Sequence, residues 1–199
     1  MVADFVVKYP CSSFTEVNFL AVLPLRFAPD LTLRQKAKRI RNIDNALLRL
    51  IEDMIETMHA ESGVGLAANQ VGVLQKVAVI QLPEDDEAMV LINPEITRRE
   101  GEREIEESCL SIPGYRGTLI RSETVRAKAL DRNGKLFRIK AQDLLAQALE
   151  HETGHLNGEL YIDHITNPDN LYKMEPRHNS ENGSSSAEEQ ENSVQAAKG

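Results

Sequence analysis

The chain has 199 residues, enough for one well-filled core and short for two. Its net charge of −8 argues against direct nucleic-acid binding, which usually shows a basic excess, and 41% hydrophobic with 27% charged residues fits a soluble globular protein. No apolar run approaches a membrane span, no leader layout opens the sequence, and Cys11 and Cys109 make no disulfide framework, so the cytoplasm is the expected compartment.

Residues 1–18 hold apolar residues without a period and read as an N-terminal extension. One domain is expected over 19–172, opening with extended chain and turns. Its basic run Arg34, Lys36, Lys38, Arg39, Arg41 reads as solvated surface. Leu47, Ile51, Met54, Ile55 and Met58 recur at helical spacing, predicting a helix from Asp44 to Ala60 that Gly63 stops. Strands are expected at 76–82, 89–93 and 96–106. A hairpin follows over 124–141, turning at Asn133–Gly134. Residues 142–158 read as a helix with Asp143 as cap and Gly158 as stop. From 173 to 199 the composition cannot offset chain entropy, which predicts a disordered acidic tail. Helices and antiparallel strands are segregated, which indicates an α+β fold.

The last helix carries "HETGH". His151 and His155 lie one turn apart and can reach one cation, while Glu152 lies one residue round, close to a water beside it. A hydrolytic site needs a third protein ligand. A metzincin would place it at 161, where Tyr161 stands; His164 comes three residues late, and Glu175 lies at the edge of the tail. The zinc metallopeptidase reading is weakened accordingly. Cys109, in "EIEESCLSIPGYRG" between strand-like segments in a loop, is the remaining candidate, with Cys11 the poorer rival. A lone cysteine is otherwise a small buried hydrophobe.

The third stretch is "SGVGLAANQVGV" (62–73). Gly63 and Gly65 let the backbone come close to a ligand, and Gln70 offers an amide donor beside it. It lacks the final glycine of a dinucleotide fingerprint and the lysine of a phosphate loop.

In this order the three segments strongly resemble the peptide deformylases over about residues 19–166. Gly63 to Gln70 match Gly-x-Gly-x-Ala-Ala-x-Gln, Glu107 to Ser111 match Glu-Gly-Cys-Leu-Ser, and Glu150 to Gly158 match Gln-His-Glu-x-x-His-Leu-x-Gly. The departures are Asn69 for proline or a small polar residue, Ser108 for glycine, Glu150 for glutamine, and Gly154 for a common aspartate. Ser108 would narrow the cleft, and Arg121 is expected to pair with Glu107.

The resemblance implies a single-domain α+β fold with antiparallel sheets packed around the central His-Glu-x-x-His helix. It implies removal of the formyl group from N-formylmethionyl peptides and nascent chains, releasing formate, with transient proximity to the ribosome. Cys109, His151 and His155 would hold one divalent metal per chain, Fe(II) by family expectation, with Zn(II) or Ni(II) as substitutes. Glu152 would move the proton, and Gln70 and the Leu110 backbone N–H would steady the oxyanion. Gly63, Val64 and Gly65 would hold the substrate strand, with Glu107, Arg116, Gln147 and Ala148 also assigned to substrate binding. Gln147 and Ala148 make one pocket wall roomy and partly polar, predicting tolerance of side chains other than methionine. A catalytically silent, metal-stapled peptide-binding module is the alternative from another class.

Overall fold

The computed structural model describes residues 20–174, so the N-terminal extension with Cys11 and the tail with Glu175 lie outside the described residues. Helix α1 (Asn45–Ala60) starts where the sequence places its cap: the Asp44 carboxylate accepts from the Leu47 N–H at 2.9 Å. Leu47, Ile51, Met54 and Met58 are buried along one face, as their spacing requires. The stop differs from expectation. Ser62, at φ 54°, takes the left-handed position, and the Gly63 N–H closes back on the Met58 carbonyl at 2.8 Å.

The strands are β1 (Gly65–Ala67), β2 (Val77–Ile80), β3 (Met89–Glu100), β4 (Arg103–Cys109), β5 (Ile112–Arg121), β6 (Thr124–Leu130), β7 (Leu136–Gln142) and β8 (Leu171–Lys173). All pair antiparallel, in a five-stranded sheet ordered β1-β2-β3-β6-β7 and a three-stranded sheet ordered β4-β5-β8. Helix α2 (Asp143–Asn157) follows β7 directly. The α+β expectation with a central helix is met.

The larger sheet is covered on both faces. Val77 and Val79 of β2, with Val90 and Ile92 of β3, pack on the buried stripe of α1. Ile80 and Leu91 point the other way, joining Val125, Ala127, Ala129 and Ala141 against Ala146, Ala148 and Leu149 of α2. This is why β2 is apolar at every position instead of alternating. Beyond the last histidine, Gly158 ends α2 at φ 84°. A Cβ there would also sit 2.6 Å from the Arg34 carbonyl oxygen, so glycine is required twice over.

Three expectations need correction. Residues 89–93 and 96–106 are not two separate strands. One strand, β3, runs through Pro94 by means of a bulge between Ile92 and Glu95, with Asn93 at φ 53°, and the chain turns at Gly101. Cys109 is not in a loop but ends β4, and β5 returns at once after two residues. Pro113, Gly114 and Gly117 hide β5 in the sequence. Asp143 does not cap α2: Gln142 holds that position without a side-chain bond, while Asp143 sits at φ 49° with its carboxylate exposed. The hairpin turn falls as expected, with Gly134 at φ 77° and its N–H on the Asp131 carbonyl at 2.9 Å. Strand β8 takes in Lys173, one residue past the composition boundary.

Candidate metal centre

Helix α2 projects His151 and His155 from one face toward the end of β4. His155 Nε2 lies 3.1 Å from His151 Nε2 and 3.2 Å from Cys109 Sγ, and the three ligand atoms all fall within 4.8 Å of one another. A tetrahedral cation with metal–nitrogen bonds of about 2.0–2.1 Å and a metal–sulfur bond of about 2.3 Å spaces such atoms roughly 3.3–3.6 Å apart. The donor set therefore fits a divalent cation with only small adjustment. Tyr161, at the metzincin ligand position, instead stacks on His151 with ring centroids 6.4 Å apart.

Each donor is braced from behind. The Ser111 backbone N–H donates to Cys109 Sγ at 3.3 Å, favouring the thiolate. Glu107 contacts His151 Nδ1 and accepts a two-pronged contact from Arg121, at 3.0 and 2.8 Å. The expected Glu107–Arg121 pair is thus present, fully enclosed. Burial pushes the Glu107 carboxyl up, but His151 and Arg121 outweigh burial and hold it at about 2. Burial also keeps the His155 ring neutral, the state that ligates. Glu150, the acidic departure, is bound by the Ser122 N–H at 2.9 Å and by Arg99 Nε at 2.7 Å.

Glu152 is 3% exposed, and its Oε2 has no hydrogen-bond partner among the described residues. Burial pushes its pKa up to about 7, suiting a group that takes and returns a proton near neutrality. Gln70, in the helical turn after β1, accepts from the Ala67 N–H at 2.8 Å through Oε1. That turns its Nε2 toward Ser111 Oγ at 3.2 Å and Cys109 Sγ at 3.7 Å.

A cleft of about 730 Å³ opens beside these groups. Gly63, Val64 and Gly65 line one side, and Glu107 to Leu110 the other, with Gln147, Ala148, His151 and Glu152 at the helix wall. Gln147 is tied to this wall, its Nε2 donating to the Glu106 carbonyl at 3.2 Å. Arg116 sits at the rim, paired with Glu106 at 3.2 Å. Sequence reasoning missed Phe27 and Met174, which also line the cleft and come from segments without a motif. Met174 arrives from the presumed tail, its N–H on the Gly114 carbonyl at 2.8 Å.

An α+β domain with a Cys/His/His donor set, a buried carboxylate and an adjoining cleft defines a metal-dependent hydrolase. The family profile described as "Polypeptide deformylase" matches residues 22–171. A peptide deformylase of Dehalococcoides mccartyi (strain CBDB1) is 55% identical over 148 residues, covering 74% of this chain and 89% of that one. A crystal structure of a Legionella pneumophila peptide deformylase superposes with a TM-score of 0.73 at 44% identity, covering 75% of this chain and 89% of that chain. One from Synechococcus elongatus in complex with actinonin gives 0.73 at 42% identity, over 74% and 83%. The chain belongs to the peptide deformylase family, and it is an enzyme that removes the N-formyl group from nascent peptides.

Proposed function

We propose that Cys109, His151 and His155 hold one divalent cation, Fe(II) in the cell with Zn(II) or Ni(II) as substitutes, and that Glu152, Gln70 and Leu110 carry out deformylation around it. Thiolate with two imidazoles suits iron as well as zinc. When bound, the cation supplies Lewis acidity toward water and the formyl oxygen. Glu152 takes the proton from the attacking water on its free carboxylate oxygen and returns it to the leaving amine nitrogen. Gln70 Nε2 and the Leu110 backbone N–H donate to the oxygen that becomes negative, each worth a few kcal/mol of barrier.

The substrate main chain lies along Gly63–Gly65, on the open edge of β1, and faces Ser108 at the edge strand β4. Glu107 acts through His151, and Arg116 meets the chain at the rim. The methionine side chain rests against Gln147 and Ala148. We place the reaction in the cytoplasm, on chains emerging from the ribosome, with contact through the substrate and not through nucleic acid. Among the described residues no helix is long and apolar enough to cross a membrane.

The observation that carries this reading is the buried, unpartnered Glu152 carboxylate beside three convergent ligand atoms. It also speaks against a silent binding module, which has no need to bury a free carboxylate at a metal site. The test is formate release from a formyl-Met peptide by anaerobically iron-loaded protein, beside Glu152→Ala. Turnover that disappears in the variant, with metal retained, supports the roles. Equal turnover in both overturns the role of Glu152, and absent turnover in both favours the binding module.

A further inference from the structure

Asn69 precedes Gln70 in the turn after β1 and is fully buried, yet no role above uses it. Its side-chain Nδ2 donates to the backbone carbonyl of His155, 86 positions away in sequence. Within this same residue pair, two more polar atoms are buried and have no partner among the described residues: Asn69 Oδ1 and His155 Nδ1. A histidine that offers Nε2 to a cation carries its proton on Nδ1, so in the ligating tautomer His155 Nδ1 is a donor. Asn69 Oδ1 can only accept. One orphan is the complement of the other, and Asn69 is already anchored on this residue's backbone.

We propose that Asn69 is a positioning residue for the ligand His155: its amide N–H grips the helix carbonyl while its Oδ1 accepts from Nδ1–H, keeping Nε2 aimed at the cation. A small adjustment of the amide, or one bridging water, closes the second contact on loading. The two ligand histidines are then held by unlike acceptors, the Glu107 carboxylate behind His151 and a neutral amide behind His155. The same residue ties the turn bearing Gln70 to the helix bearing both histidines. Ligand and oxyanion donor therefore move as one body.

The inference rests on His155 being a ligand. If His155→Ala keeps wild-type zinc affinity, the ligand assignment itself falls, which is a separate failure. The direct experiment uses zinc-loaded full-length protein, histidine ¹⁵N–¹H spectra and a zinc-affinity titration, on wild type, Asn69→Ala and Asn69→Asp. Wild type should show His155 as the Nδ1–H tautomer with a slowly exchanging proton. In Asn69→Ala that proton should exchange at least about tenfold faster, and zinc affinity should drop about 10- to 100-fold. Asn69→Asp keeps an acceptor at the same place and should restore the slow exchange. A merely structural asparagine would lower the melting temperature of both variants and leave zinc affinity and exchange as in wild type; that result overturns the inference. Should neither variant fold, the wild-type spectrum decides: a proton on Nε2, or an Nδ1–H exchanging as fast as an exposed imidazole, overturns it, and a protected Nδ1–H supports it.

Discussion

Gly65 lies against Glu152 so closely that any side chain would strike it. A Cβ built at Gly65 falls 2.4 Å from Glu152 Oε1 and 2.9 Å from its Cδ, about 0.6 Å inside the 3.0 Å floor of real Cβ contacts. Gly65 is not at positive φ, so its strand accepts alanine without backbone strain. The whole effect of Gly65→Ala therefore lands on the carboxylate, which must swing aside. A misplacement near 1 Å costs about 10²-fold in rate, or about 2.7 kcal/mol of barrier. Folding stability should hold or rise by a few tenths of a kcal/mol, because the unfolded chain loses freedom. Gly63→Ala is the matched control. Its Cβ meets the Leu110 Cδ1 tip at 2.9 Å, and that side chain can turn away, so the loss should stay under about tenfold. The assay is kcat for formate release at saturating formyl-Met peptide, with metal content and urea unfolding measured alongside. A Gly65→Ala enzyme within threefold of wild type, at equal metal content, would refute the claim that the proton carrier must stay where the structure puts it.

Three more outcomes are expected from the same geometry. Arg121→Met leaves Glu107 charged and buried with half of its support, and should cost about 3–5 kcal/mol in urea unfolding. A loss under 1 kcal/mol would mean that His151 alone suffices. Asp163 is bound by Arg34 and the Leu160 N–H; burial pushes its carboxyl up, but these contacts outweigh burial and hold it below the ordinary 3.8. Its contribution is therefore present above about pH 4 and lost as pH falls through the lower folded value. Asp163→Asn should be slightly less stable than wild type at pH 6, by well under about 1 kcal/mol for so exposed a pair, and indistinguishable near pH 2. With Ala148 small and about 730 Å³ of cleft, formyl-Leu and formyl-Met peptides should give kcat/KM values within about tenfold. Near-exclusive use of formyl-Met would sink that expectation.

The helices were legible because each carries a stripe or a motif over many residues: Leu47 to Met58 predicts its own buried face, and the His151–His155 spacing predicts convergence. Cys109 could be nominated but not placed, since β5 carries a proline and two glycines and shows no alternation. The Glu107–Arg121 pair was within reach of guesswork because the two residues face each other only when β4 folds back on β5. Gln142 and Asp143 show the limit of capping rules. The turn out of β7 sets the backbone there, and no local side-chain bond decides it. Phe27 and Met174 were invisible because tertiary folding alone brings them to the cleft.

The cleft lies between β1 and β4, each the last strand of its own sheet. Unpaired strand edges invite any extended chain to pair with them and are a common route to aggregation. Here β1 is three residues long, too short to template a stable foreign strand, and β4 ends at a tight return into β5. A formylated chain can be gripped by its backbone for a few residues only, whatever its later sequence. That suits an enzyme that must accept the start of many different proteins and then let each one go.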